Sequence, residues 1–273
     1  MIIDGHAHAC GDFLKRDQLL KILAENGADR VALCPGELNS AKNYHLPNLA
    51  QKYPQKDFSA TVNNIIKITV ALTGKAGQID AGNDYVYGLA RQAPERISQF
   101  YWVDPGASEV VAKLDREYGR MGFAGLKLHQ CWNRFDLRLG YMDDIAEWAG
   151  GKSLPVFIHL GSQRDAVAMA ELIRRHPDTN FIIAHLIGLA VFADALRDRA
   201  NAFFDTSGYQ LIPEKKLLAA IDRFGAVRLV MGSDTPYGRD NLRHSIARIR
   251  GLKLPEREQE LILGGNMQSL LHL

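Results

Sequence analysis

Short runs of Val, Ile, Leu and Phe recur along the chain, and most of them stop at a polar side chain. MIIDGHAH carries His6 and His8, FAGLKLH ends on His129, PVFIHLG holds His159, NFIIAHLIG holds His185 and VRLVMGSD ends on Asp234. Side chains of a strand alternate between its faces. That parity places Ile2, Asp4, His6 and His8 on one face of the first run, with Ile3, Gly5 and Ala7 opposite. It also groups Gly125, Lys127 and His129, Phe157 with His159, Ile183 with His185, and Gly232 with Asp234. One face of each strand is thus assigned to packing under helices and the other to chemistry.

Strands are predicted near residues 1–6, 30–34, 98–103, 123–129, 155–159, 180–185, 202–206 and 227–232. Helix-patterned stretches lie at 108–120, 143–149, 163–175, 189–199, 213–224 and 241–249. The steps of 30, 26 and 49 residues from His129 to His159, His185 and Asp234 leave room for a helix and two loops each time, the last with one more strand. Apolar strands alternating with helices imply a parallel sheet covered on both faces. Eight such units predict an α/β fold, a (β/α)8 TIM barrel forming one domain over 1–273. The polar residues fall at the C-terminal strand ends, where such barrels carry their active sites. An open doubly wound sheet would bring a Gly-rich phosphate turn, and no GxGxxG follows the first strand.

Residues 39–96, between strands 2 and 3, exceed what one crossover helix needs. They predict a helical insertion leaning over the barrel mouth or, alternatively, a helix pair packed on the barrel's side or at a dimer contact. Gly74, Gly77 and Gly82 would let this segment hinge.

Imidazoles and carboxylates among Val, Ile and Phe need partners to offset desolvation, and a divalent metal is the most economical one. The motifs DGHAH at 4–8, GLKLH at 125–129, PVFIHLG at 155–161, FIIAHLIG at 181–188, FDTSG at 204–208, GSDTP at 232–236 and ILGGNMQSLLHL at 262–273 span the chain except for the insertion. In these the chain resembles the amidohydrolase superfamily, in its amidohydrolase-related (amidohydrolase 2) branch of single-metal hydrolases and decarboxylases. The resemblance implies one divalent metal, zinc with manganese or iron as alternatives, held by His6, His8, His159 and Asp234. It implies that Asp234 also handles the proton of a metal-activated water, and that His185 polarises substrate or moves a proton. One departure is visible: AHLIG stands where the family often has AHxGG.

Lys127 faces into the barrel, where it would pair with a carboxylate, hold a substrate anion or, as in some relatives, be carboxylated to bridge two metals. Each residue also has a structural alternative: hydrogen-bonded core histidines for His6, His8, His129, His159 and His185, and a helix N-cap for Asp234. Asp205 is read as orienting the barrel floor or a loop. Lys127, Arg134, Arg164 and Arg239 lie on or just after strand ends and suggest a carboxylate-bearing substrate. His129, Trp132 and Tyr237 are candidate contacts to the rest of that molecule. The leading expectation is therefore hydrolysis of a small carboxylated lactone, ester or amide. Non-hydrolytic decarboxylation of an aromatic or muconate-like acid, or a barrel kept for binding alone, are the alternatives.

A balance of 33 basic and 31 acidic residues carries no nucleic-acid or membrane footprint. The expected partner is a small molecule, with a homodimer compatible with the insertion. Cys10, Cys34 and Cys131 form no CxxC pair and read as reduced thiols. With a first strand that leaves no room for a signal peptide and no apolar run of membrane length, a cytoplasmic protein is expected.

Overall fold

The computed structural model describes residues 1–73 and 79–273. Its strands are β1 (Ile3–His8), β2 (Arg30–Cys34), β3 (Ile97–Trp102), β4 (Gly125–His129), β5 (Val156–His159), β6 (Phe181–Ile183), β7 (Ala202–Asp205) and β8 (Leu229–Val230). They pair in chain order, parallel throughout, with His129 beside His159 in the register of β4 and β5. The sheet then curls back on itself. The Gly5 and His8 amides donate to the Met231 and Thr235 carbonyls, each at 2.9 Å, and nearly close a (β/α)8 TIM barrel.

Helices α1 (Arg16–Glu25), α2 (Leu49–Lys52), α3 (Ser59–Thr73), α4 (Ile79–Gln92), α5 (Val110–Met121), α6 (Gly140–Gly151), α7 (Asp165–Arg175), α8 (Leu189–Ala195), α9 (Glu214–Phe224), α10 (Asn241–Arg250), α11 (Glu256–Glu260) and α12 (Asn266–Leu270) complete the chain. The six helix-patterned stretches correspond to α5 through α10. The pattern omitted α1, whose buried residues are only Leu19 and Leu23.

Two apolar layers follow from strand alternation. Val31, Leu33, Leu126, Leu128, Val156 and Ile158 point outward into the helices. Ala32, Cys34, Phe100, Phe157, Ile182 and Val230 fill the barrel interior together with Met267, Leu270 and Leu271 of the C-terminal segment.

Parity fails at two strands. In β1 the register shifts between Asp4 and Ala7, so Ile3 joins the interior cluster although His6 also faces inward. A bulge of this kind re-aims side chains near sites. At β6 and just after it the interior residues are Ile182 and Ala184, while Ile183 packs outward. His185 reaches the interior only because its backbone is left-handed, with φ 55°.

The insertion divides by role. Helix α4 packs along β2 and β3 as the regular crossover helix. Gly82 within it serves close approach, since a Cβ would lie 2.9 Å from the Pro35 Cβ; Gly74 and Gly77 fall outside the described residues. Helix α3 crosses the C-terminal strand ends, where Asn63 Nδ2 donates to the Leu160 carbonyl (3.0 Å) and Lys67 Nζ to the Gly161 carbonyl (2.7 Å). Its start is capped by Asp57, which accepts from the Ser59 amide at 2.9 Å and pairs with Lys216 of α9 at 2.6 Å.

Candidate active site

The Asp234 carboxylate sits at the floor of the C-terminal end among three imidazoles. Its Oδ1 lies 3.7 Å from His6 Nε2 and 3.5 Å from His8 Nε2, and its Oδ2 lies 3.8 Å from His185 Nε2. Asp234, like His185, has φ 55°, a costly backbone state held here by the Asp234 amide donating to the His6 carbonyl at 2.7 Å. Burial alone would raise the Asp234 pKa, but the His185 and His6 rings and the hydrogen bond to His8 outweigh it and bring it to about 2. The carboxylate is therefore ionised at neutral pH.

Outer partners fix the imidazole tautomers. His8 Nδ1–H donates to the Pro35 carbonyl at 2.7 Å. The Nδ1 atoms of His6 and His185 converge on Ser207 Oγ at 3.2 and 3.0 Å, and His185 Nδ1 also faces the Ser207 carbonyl at 3.3 Å. Ser207 Oγ–H in turn donates to the fully buried Asp205, which also accepts the His185 amide at 3.1 Å. Protons held on Nδ1 turn the three Nε2 atoms toward the carboxylate, as a metal-binding imidazole requires, and the Nε2 of His8 carries the further proton that a metal would displace. Asp205 thus orients two rings, a role for which the FDTSG motif was the signal. Gly232 permits the close packing, because a Cβ there would lie 2.6 Å from Asp205 Oδ1 and 2.8 Å from the His6 Cβ.

Among the described residues His6 and His8 gather with Cys34, and His6 with His185 and Asp205, with ligand atoms within 4.8 Å of one another, and the two edges from Asp234 to His6 and His8 suit a divalent ion. Bonds of roughly 2.0–2.1 Å in a tetrahedral site separate ligand atoms by about 3.4 Å, close to the 3.5 and 3.7 Å found between Asp234 and the two Nε2 atoms. Burial, reinforced by Lys127, holds His6 well below the usual imidazole range and so neutral. At His8 burial is outweighed by Cys34 and Asp234, which push the ring up to about 9, so an ion arriving there displaces a proton. It also displaces a hydrogen bond, since Lys127 Nζ lies 2.7 Å from His6 Nε2. Lys127 is 1% exposed, with its pKa lowered by burial and its Nζ 4.1 Å from the Phe157 ring centroid.

His159 stands apart from the other three expected ligands. Its Nε2 is 2.8 Å from Asn63 Oδ1, and its ring stacks on His129 with centroids 3.9 Å apart and planes 12° from parallel. His129 stacks on Trp102 on the other side, at 5.6 Å and 10°. Imidazole lone pairs lie in the ring plane, so parallel stacked rings do not converge on one ion, although Cys131 lies close to both. Burial and the neighbouring His129 keep His159 well below the usual imidazole range. Asn63 was missed by sequence reasoning, because nothing in the insertion signals contact with β5.

Above the carboxylate opens a cavity of about 220 Å³. His8, His129, His159, His185 and Asp234 form its floor, Trp132, Tyr44 and Tyr237 its aromatic sides, and Val62, Ile66 and Val70 of α3 a wall. Trp132 and Tyr237 are thus where a substrate would meet them. Arg164 is not: it is exposed and lines a separate cleft with Asp136 and Arg138. Arg134 and Arg239 are also exposed and do not line the cavity. Strand-end position in the sequence does not say which way a loop side chain turns. All three cysteines are free and buried, with Cys34 Sγ 3.3 Å from His8 Nδ1.

A family model described as Amidohydrolase matches residues 3–273. The chain belongs to the amidohydrolase family. Among curated proteins none matches the sequence. Among solved structures, this amidohydrolase is similar to 2,6-dihydroxybenzoate decarboxylase from Rhizobium, with 16% identity and a TM-score of 0.70 over 99% of this chain and 98% of that one. It is similar to 4-oxalomesaconate hydratase from Rhodopseudomonas palustris, with 16% identity and a TM-score of 0.67 over 100% and 96%. It is also similar to a dihydroxybenzoic acid decarboxylase from Polaromonas sp. JS666 with bound manganese, with 15% identity and a TM-score of 0.71 over 100% and 97%. At these identities the likeness is one of fold. Among the described residues no helix is long and apolar enough to cross a membrane.

Proposed function

We propose that this amidohydrolase is a metal-dependent hydrolase of small ester, lactone or amide bonds. The observation that carries the reading is the ionised Asp234 carboxylate, 15% exposed at the cavity floor and 3.5–3.8 Å from three imidazoles. A divalent ion held by His6, His8 and Asp234, with His159 joining if it exchanges Asn63, would polarise the scissile carbonyl and lower the pKa of water toward ~7.

The chain's own residues then divide the proton work. Asp234 accepts the proton of the attacking water. His185, protonated on Nδ1 toward Ser207, has its Nε2 lone pair on the side of Asp234 Oδ2 at 3.8 Å. It takes that proton on and delivers it to the leaving oxygen or nitrogen, while Asp205, 3.7 Å from its Nδ1, stabilises the passing imidazolium. Catalytic hydrogen bonds of this length in a substrate-free site tighten when substrate fills it. Water adds across the bond, giving a carboxylic acid and an alcohol or amine.

The test combines metal content by mass spectrometry with turnover of esters, lactones, amides and aromatic acids, following acid production and carbon dioxide together. About one equivalent of metal, lost in the His6→Ala, His8→Ala variant, with acid produced and no gas, is expected. Carbon dioxide release from an aromatic acid would replace hydrolysis by decarboxylation, the activity named for two of the structural neighbours.

A further inference from the structure

Resting on the hydrolytic reading, we propose that α3 makes this site select substrates whose group remote from the scissile carbonyl is uncharged and apolar, not a carboxylate. Val62, Ile66 and Val70 are spaced four apart, so they form one stripe of the helix, and all three line the cavity. Leu46, Leu211 and Ile212 extend the same lining.

The charges point the same way. Among the described lining residues there is no Lys or Arg, Glu37 and Asp234 are acidic, and His8, cationic until a metal displaces its proton, is already engaged by Asp234 and the Pro35 carbonyl. Nearby ammonium groups are engaged elsewhere: Lys127 against His6, Lys67 on the Gly161 carbonyl and Lys216 on Asp57. A remote carboxylate pressed against α3 would lose its hydration and gain no cation. An alkyl or aryl group would lose only unfavourable contact with water. The cavity of about 220 Å³ equals about seven water volumes, room for a ring with a short chain. Ile66 and Val70 are therefore specificity-determining positions.

The test is calorimetric binding of a matched pair of non-hydrolysable ketones, 1-phenylbutan-1-one and 4-oxo-4-phenylbutanoate, to the zinc-loaded protein and to the metal-free protein. The uncharged ketone is expected to bind at least tenfold more tightly to both forms. The Ile66→Lys or Val70→Lys variant, whichever keeps the wild-type circular dichroism, is expected to reverse the preference. The inference is overturned if the keto acid binds as tightly as the ketone to the wild type, or if both folded variants keep the wild-type preference. Hydrolysis without a ketone preference sinks this inference alone. A ketone preference without any ester, lactone or amide turnover sinks the hydrolytic reading and leaves the apolar selectivity standing.

Discussion

Asp234 owes its ionised state to neighbours on β1 and after β6, so its chemistry belongs to the cluster more than to the residue. Asp234→Asn keeps the shape and removes the base, and should lower turnover by about 10²–10⁴-fold with an unchanged circular dichroism spectrum. Asp205→Ala acts differently. It leaves the His185 amide and Ser207 without their buried acceptor and frees the His6 and His185 rings. Loss of an orienting partner weakens metal binding by about 10–100-fold, and orphaned buried donors cost about 1–3 kcal/mol. Competition with a chelating dye and urea unfolding measure the two effects separately.

At the scale of the element, α3 is the part of the insertion that makes the cavity, and its hold on the barrel is polar. Asp57 caps the helix and reaches Lys216 on α9, whose Nζ also lies 3.5 Å from the His185 carbonyl. The two partners shift in the same direction for different reasons. Burial raises the Asp57 carboxyl, but Lys216 and Ser59 outweigh it and hold it below its ordinary 3.8, whereas burial dominates at Lys216 and lowers it. In acid only Asp57 titrates, so it sets the sign. A carboxylate depressed on folding contributes stability that is full above its unfolded value and is lost as pH falls through the folded one. Hydrogen exchange at α3 should therefore accelerate below pH 3.8 while the barrel strands stay protected, and Asp57→Ala should show the fast exchange already at pH 7. Equal protection of α3 in that variant at pH 7 would show that apolar contacts hold the helix without the pair.

For the whole molecule, metal binding at the proposed site would be linked to folding, because its ligand atoms come together only in the closed barrel. His6 and His8 enter from the first strand and Asp234 from the turn after the last, and the contact between these strands closes the sheet. An ion that binds the folded chain alone stabilises it by about 2.7 kcal/mol at a concentration 100 times its dissociation constant. Stripping it with chelator should lower the thermal midpoint, and adding it back should restore the midpoint. In the His6→Ala, His8→Ala variant the midpoint should no longer respond to metal. Scanning calorimetry measures all three.

Much of this architecture was legible in the sequence, since an apolar period of two ending on a polar residue marks both a strand and its catalytic end. Eight strands, their order and the placing of His6, His8 and Asp234 at one rim follow from that periodicity and from spacing, whereas His185 turns inward only through its left-handed backbone. Parity misplaced Ile3 and Ile183, because a bulge in β1 and a left-handed residue after β6 depend on neighbouring strands that local alternation does not register. Tertiary structure also decided that His159 turns to Asn63, that Ser207 and Asp205 hold two imidazoles, and that Arg164 faces away from the cavity. The physical reason is range. Alternation and helix period are properties of residues a few positions apart, whereas the direction of a loop side chain and the wall above a barrel are fixed by contacts between segments about a hundred residues or more apart, as Asn63 and His159 show.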